Sequence, residues 1–546
     1  MEKNHTIKLP LTGLIMKVNN PIEYLPPRIA LTAAMLTPAA SPEAFPADAK
    51  HPNILFILAD DMSYRDLSCF GQQRYHTPHL DSLAMQGVRF TQAYSAAPES
   101  APSRCSLLTG LHTGHSSIRM NSSARGQDNL LDTDLTIAEV LKANGYSTAF
   151  TGKWGIGLQG TEGVPYKQGF DYCFGFYDQT EAHTYLPEYL YENDRQVLYP
   201  QNKGFDMESR YDYRGNKPHN TYDTDGRLYV KELKDPYGYA FSENEIEDAA
   251  IGFLKRHHAA DEGKPFFLYY ATQLPHGPVI IDHIGEMAQP DSVCQISREW
   301  AAMVIKLDKF VGRLINHLKE TGEYDNTVIF FASDNGYSMC GYTERGNGPH
   351  WPDDPWLQNK GPFTGGKFSA REGGLRIPFF VHCPARFRPR VVSSTVWLPD
   401  FFPTAARLSG TSTEKMPETD GLSLLPLLEN GEWEGHPHLY FSRGMEQAVR
   451  IGAFNAYRPR QEAAVQLYLV EEDTYTQRDL AYLYPDVVKQ VENIMATSFT
   501  PHPWYWTPDE TPQQYNLKKQ RARDTGNLLP VYRPNGIKQF PWEKKE

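Results

Sequence analysis

Asn53-Ile-Leu-Phe-Ile-Leu-Ala-Asp-Asp61 is the stretch whose reading decides the fold. An apolar run this short, rich in Ile and Phe and closed by two aspartates, reads as a central strand of an α/β sheet, buried on both faces. Ligands in such sheets bind beyond the carboxyl ends of the strands, where Asp60 and Asp61 fall. Phe266–Tyr270 (FFLYY) and Thr327–Ala332 (TVIFFA) are runs of the same type, and Ser147–Thr151 is a strand that ends at Gly152-Lys153. Val88–Thr91 reads as a further strand. Between them, Thr77–Gln86, Ser106–Thr109 and Ile137–Ala143 read as helices, as does Trp300–Thr321, with Val304, Leu307, Val311, Leu314 and Leu318 on one face. The alternation predicts the α/β class, with a large mixed sheet flanked by helices and a smaller C-terminal α+β domain.

The 546 residues suit one large core with an appendage. A net charge of −12, with 22% charged and 40% hydrophobic residues, argues against a surface built for nucleic acid. Six cysteines, including Cys69, Cys105 and Cys340, form no CxxC unit. Residues 1–49 read as a signal segment: the small-apolar run Ile29–Ala40 is followed by Ala47-Asp48-Ala49, the A-x-A form of a signal-peptidase site. The expected localisation is therefore export to the periplasm, and no later window is apolar enough for a membrane span. Residues 50–430 are assigned to a catalytic domain and 431–546 to an α+β subdomain and tail, joined by a Gly-, Thr- and Pro-rich linker around Arg407–His438. Gly160–Pro236, dense in Tyr, Gly and Asn, reads as surface insertions framing a site, and the Trp- and Pro-rich PHPWYWTPDETPQQ reads as surface.

Asp60 and Asp61, crowded at a strand end, require a compensating cation or proton. Asp334-Asn335 after TVIFFAS repeats the corner. Three carboxylates and an amide oxygen suit a hard divalent ion, Ca²⁺ or Mg²⁺, better than Zn²⁺. In Ser100-Ala-Pro-Ser-Arg104 a helix begins at an anion-favouring N-terminus, and Arg104 lies one turn on. An unmodified serine there needs a base or a metal to become nucleophilic. Gly361-x4-Gly366-Lys367 imitates a P-loop, but Phe368 stands where Ser or Thr would bind Mg²⁺.

Asp60-Asp61, Ser100–Gly110, Gly152-Lys153-Trp154, Pro275-His276, Asp334-Asn335-Gly336 and Gly366-Lys367…Glu372-Gly373-Gly374, in this order, resemble the type I sulfatases of the alkaline-phosphatase-like superfamily, over about residues 51–500. The resemblance implies that Ser100 is the precursor of Cα-formylglycine, whose hydrate attacks the sulfur of a sulfate ester and then expels sulfate through its second hydroxyl. It implies one Ca²⁺ held by Asp60, Asp61, Asp334, Asn335 and residue 100. Arg104, Lys153 and Lys367 are then the cations that hold the diol or sulfate oxygens, and His276 the general acid. A serine at this place implies maturation by an anaerobic sulfatase-maturating enzyme.

The chain departs from the family at Gly155, where many members carry a histidine. His115, or failing it His112, is the expected substitute. The loops carrying Arg119, Asn121, Glu181, His183, Tyr185 and Arg195 offer donors, acceptors and aromatic faces suited to a sugar, with Arg119, Asn121, His183 and Tyr185 as the named substrate contacts. The stretch from GKWGIG to EAHTYLPEYLYEN resembles the arylsulfatase A-like or N-acetylgalactosamine-sulfatase-like branch, implying a sulfated saccharide substrate, galactose or N-acetylgalactosamine from host glycans. The competing readings are a phosphatase or phosphodiesterase of the same superfamily and a degenerate glycan-binding protein.

Overall fold

The computed structural model describes residues 51–205, 220–260, 263–289, 292–338, 353–430, 433–474 and 476–526, with short pieces beyond. The expected signal segment 1–49 and Cys340 lie outside the described residues.

Ten strands form the main sheet: β1 (Asn53–Ala59), β2 (Val88–Phe90), β3 (Ser147–Lys153), β4 (Tyr172–Phe176), β5 (Tyr189–Glu192), β6 (Arg195–Leu198), β7 (Phe266–Ala271), β8 (Thr327–Ser333), β9 (Phe379–His382) and β10 (Arg390–Val392). Their order is β10-β2-β9-β8-β1-β7-β3-β4-β5-β6. The central five, β8-β1-β7-β3-β4, are parallel, so their carboxyl ends share one edge. Antiparallel pairs β8–β9 and β4–β5 extend the sheet on either side.

All seven residues of β1 are buried. Ile54, Phe56 and Leu58 enter one apolar cluster, with α2 (Ser100–Thr109), α3 (Ile137–Ala143) and α6 (Phe401–Leu408). Leu55, Ile57 and Ala59 enter the other, with α4 (Ser242–Ala260) and α5 (Gln295–Glu320), while α1 (Pro78–Gln86) adds Leu80 and Leu83 to it. This two-sided burial is why the strand shows no polar alternate. A four-stranded antiparallel sheet, β11 (Leu439–Arg443), β12 (Glu446–Ile451), β13 (Phe454–Arg458) and β14 (Gln466–Leu469), with α7 (Pro485–Thr497), forms the smaller C-terminal domain. Leu439, Phe441, Ala448 and Tyr457 share an apolar cluster with Tyr94, Ala370, Leu375 and Trp397 of the large sheet's side.

Three expectations are corrected. Gly160–Pro236 is not all insertion, since β4 is a buried parallel strand within it and β5–β6 a hairpin completing the sheet. Strands of four or five residues containing Tyr and Gly carry too little periodicity to be read. The linker around Arg407–His438 buries Leu424, Leu427 and Leu428, and the Trp-rich tail buries Tyr505, Trp506 and Thr507.

Gly152 sits at the end of β3 with φ +118°, and an added Cβ would come within 1.9 Å of the Ala271 carbonyl oxygen. Gly152→Ala is therefore expected to cost roughly 2–5 kcal/mol, from left-handed strain plus backbone overlap. Gly145→Ala, also left-handed (φ +86°) but with open space around it, is the comparison; it should cost about 1 kcal/mol by denaturant titration, and equal losses would show that the close strand contact carries no weight.

Candidate active site

The hydrogen-bond ladder of the parallel strands runs one residue past β1: the Asp60 N–H donates to Leu274 O and the Asp334 N–H to Ala59 O, each at 3.0 Å. This places Asp60-Asp61, Asp334-Asn335 and the loop carrying His276 at adjacent strand ends. The helix α2 starts at Ser100 with Glu99 as an extended N-cap and ends at Gly110 in the left-handed region. Ser100 Oγ donates to Asp60 Oδ1 at 3.2 Å, so the residue-100 side chain points into the carboxylates.

Three cations meet three carboxylates here. Arg104 binds Asp334 Oδ2 at 2.9 Å and stands 3.5 Å from Asp60 Oδ1, while its other amine donates to the Lys153 carbonyl. Lys153 Nζ lies 2.6 Å from Asp60 Oδ2. Lys367 Nζ lies 2.7 Å from Asp61 Oδ1 and 3.0 Å from His276 Nε2. An ammonium only donates, so His276 Nε2 accepts and the neutral ring carries its proton on Nδ1. Burial, then the charges of Lys367 and Lys153, holds His276 well below the usual histidine range. Asp60, Arg104, Lys153 and Asp334 have no exposed surface.

The backbone is strained beside two of these groups: Asp61 has φ 66° and Phe368, next to Lys367, has φ 71°. Non-glycine residues in this region concentrate where a surrounding structure fixes a functional geometry. The Asn335 amide nitrogen donates to Asp61 Oδ1, but Asn335 Oδ1 is buried without a partner among the described residues. An orphaned amide oxygen beside three carboxylates, with the His276 ring also within reach of Asp60 and Asp61, is a mainly oxygen donor set that fits a hard divalent ion.

The remaining expected residues divide. His183 is brought in, its ring stacked on His276 at 4.6 Å between centroids and 15° between planes. Burial, then the charge of His276, holds it well below the usual range. Asn121 abuts the start of α2, its Oδ1 accepting from the Ala101 N–H at 3.0 Å. Tyr185 works from behind, its hydroxyl meeting the carbonyls of Gln273 (3.0 Å) and His276 (2.8 Å). Arg119 is not brought to the cluster. It is buried and stapled to Ser116 O, Thr500 O and Thr500 Oγ1. Arg195 lies on the exposed hairpin, paired with Glu192, and Glu181 accepts from the Tyr189 hydroxyl.

His115 is also placed elsewhere: its Nδ1 lies 2.9 Å from Asp420 Oδ1 and its ring stacks on His112. His112 Nδ1 accepts from the Gly114 N–H, which leaves the proton on Nε2, facing Asp420 at 3.7 Å. Burial pushes His112 down to about 3, so it stays neutral, and with His115 and Asp420 it forms a separate His–His–carboxylate group whose ligand atoms lie within 4.8 Å of one another.

Several residues at the site had no local signal. Arg443 of β11 pairs with Glu99, and its guanidinium carbon lies 5.2 Å from the centroid of the Phe368 ring. The C-terminal domain thus reaches the neighbours of both Ser100 and Lys367. Asp178 Oδ1 accepts from the N–H groups of Thr180 (2.6 Å) and Glu181 (2.9 Å), fixing the turn after β4.

A hydroxyl at a helix N-terminus, a buried oxygen-ligand corner and a ring of fixed cations define a hydrolase of anionic esters. A profile of the sulfatase family matches residues 52–411, and the chain belongs to the sulfatase family. It is 30% identical over 438 residues to N-acetylgalactosamine-6-sulfatase of Canis lupus familiaris, covering 79% of this chain and 74% of that one. It is 27% identical over 503 residues to N-acetylgalactosamine-6-O-sulfatase of Bacteroides thetaiotaomicron, covering 82% and 93%. Among solved structures, that of Ps i-CgsB in complex with k-i-k-neocarrahexaose superposes with a TM-score of 0.66 at 25% identity, covering 87% of this chain and 99% of that one. The protein is a sulfuric ester hydrolase of the arylsulfatase A-like and N-acetylgalactosamine-sulfatase-like branch, with the alkaline-phosphatase-like fold.

Tyr185→Phe removes the only side-chain donor described for two buried carbonyls. It is expected to lower stability by about 1–3 kcal/mol and to reduce kcat on an aryl sulfate as His276 loosens. Unchanged kcat with the expected stability loss would show that Tyr185 does not position the loop.

Proposed function

We propose that this sulfatase hydrolyses an O-sulfate ester on galactose or N-acetylgalactosamine of host glycans, using calcium and a formylglycine derived from Ser100. The observation that carries the reading is Ser100 Oγ, 3.2 Å from Asp60 in a site where Arg104, Lys153 and Lys367 converge. Asp60, Asp61, Asp334, Asn335 and residue 100 would hold the calcium, which when bound would make a hydroxyl on residue 100 easier to deprotonate. Three carboxylates balance three cations, so a bound divalent ion leaves the site positive toward a sulfate ester.

Arg104 and Lys153 fix the residue-100 side from the helix and from β3. Lys367 and His276 lie on the Asp61 side and hold the leaving oxygen. The proton needed by the departing sugar oxygen comes from this Lys367–His276 pair. The His183 ring, stacked on His276, and Asn121, beside Ala101, supply contacts to the sugar. Two relatives bear the name of N-acetylgalactosamine 6-sulfatases, which favours the galacto configuration and the 6-position. Serine at residue 100 favours maturation by an anaerobic sulfatase-maturating enzyme. The sequence of residues 1–49 favours export to the periplasm, and no described helix is long and apolar enough to cross a membrane.

The test is a panel of mono- and disaccharides sulfated at different positions, with enzyme whose residue-100 peptide is shown to lie about 2 Da below serine. Release of sulfate from galacto-configured substrates is expected, and activity confined to glucosamine sulfates would overturn the sugar assignment. Lys367→Ala should lower kcat/KM on the best substrate at least about tenfold. Turnover within twofold of wild type, on the order of 0.4 kcal/mol, would remove Lys367 from the sulfate site.

A further inference from the structure

Gln273 lies two residues beyond β7, at the start of the loop that carries His276, and is fully buried. Its polar groups are all bonded, and they reach several separate parts of the frame around the site. The side-chain Nε2 donates to the carbonyls of Ala182 (2.6 Å) and Thr184 (3.1 Å), the two residues that flank His183. Oε1 accepts from Ser242 Oγ at the start of α4 (2.6 Å), and the backbone N–H donates to the Glu243 carboxylate (3.2 Å). The Gln273 carbonyl accepts from the His276 N–H at 2.8 Å and from the Tyr185 hydroxyl at 3.0 Å.

These partners fix the orientation of the amide. Two carbonyls can only accept, so they take both side-chain N–H groups, and the oxygen is left for the Ser242 hydroxyl. A glutamate at this place would lack both donors. Ala182 and Thr184 are buried, whereas His183 between them is partly exposed. Drawing the two flanking carbonyls inward therefore fixes the backbone on both sides of His183 and leaves its side chain to turn out onto the His276 ring, where it stacks. The segment's own turn adds the His183 N–H to Thr180 O (3.0 Å) and the Thr184 N–H to Glu181 O (3.3 Å). One residue thus ties the His183 segment by its side chain and the His276 loop by its backbone.

We propose that Gln273 is a positioning residue that holds the His183 ring in register with His276, so that the contact to the sugar and the delivery of the proton share one geometry. Replacing the side chain leaves the backbone bond to His276 in place, so the loss falls on His183. The proposal rests on the reading of His183 as a sugar contact, which His183→Ala tests by itself.

The test is a double-mutant cycle on whichever sulfated saccharide wild type hydrolyses best, with matured enzyme assayed well below the Tm of every variant. Gln273→Met, close in length but without the amide, should lower kcat/KM about tenfold as two hydrogen bonds to the His183 segment are lost. His183→Ala should lower it by a similar or larger factor, and the double variant should match His183→Ala within about twofold, because Gln273 acts through that ring. On a small aryl sulfate, which has no sugar for His183 to meet, Gln273→Met should stay within about threefold of wild type. Ser242→Ala, which removes only the hydroxyl held by the amide oxygen, is the milder variant and keeps the cycle readable if Gln273→Met does not fold. It should cost about threefold in the wild-type background and nothing further in His183→Ala.

Losses that multiply, with either variant costing as much in the His183→Ala background as in wild type, would overturn the proposal. So would equal losses on the saccharide and the aryl sulfate, which a general loosening of the fold produces, and so would a lowered Tm with saccharide turnover unchanged. His183→Ala within twofold of wild type would overturn the reading of His183 as a sugar contact, and the role of Gln273 with it.

Discussion

The site depends on confining three carboxylates and three cations in one dry corner. At about 4 Å and an effective dielectric near 20, each opposite pair attracts by about 4 kcal/mol, and each ion removed from water costs several kcal/mol. The two effects are of the same size, so the cluster adds little net stability. Its importance lies in its balance: deleting one member leaves an uncompensated buried charge, which costs about 3–5 kcal/mol. The same balance makes the corner receptive to a divalent ion and an anionic ester together, because the ion's charge is not already cancelled.

The parallel sheet makes this confinement possible. Strands that pair in parallel end together, so β1, β3 and β8 deliver Asp60, Lys153 and Asp334 to one edge without any long loop having to fold correctly. The interior of β1 is fixed by Phe56, stacked on Phe330 at 5.8 Å and edge-on to Phe401 at 4.5 Å. Rigidity below the edge allows strain at it, and the left-handed backbones of Asp61 and Phe368 sit on this support. Further out around the same corner lie Asn121, His183 and the Arg443 brace from the C-terminal domain.

Much of this was legible in the sequence because the informative residues are local. NILFILADD carries a strand and its two terminal carboxylates in nine letters, and SAPSR carries a helix start, the residue-100 side chain and Arg104. Strands β4, β5 and β6 were not legible, being too short and too rich in Tyr and Gly to show a period. His115 and Arg119 lie close to Ser100 in sequence, yet the chain after α2 turns toward Asp420 and Thr500, and that turn is set by distant segments. Arg443 fails in the opposite sense: it follows Ser100 by many residues and reaches the neighbouring Glu99 only through the docking of the second sheet.

The most direct measurement is a calorimetric titration of chelator-stripped, matured protein with calcium chloride and, separately, with zinc chloride. The account predicts one calcium bound per chain, with binding lost in Asp334→Ala because an anionic ligand at the strand end is gone. Two zinc ions per chain, or calcium binding unchanged in Asp334→Ala, would contradict it.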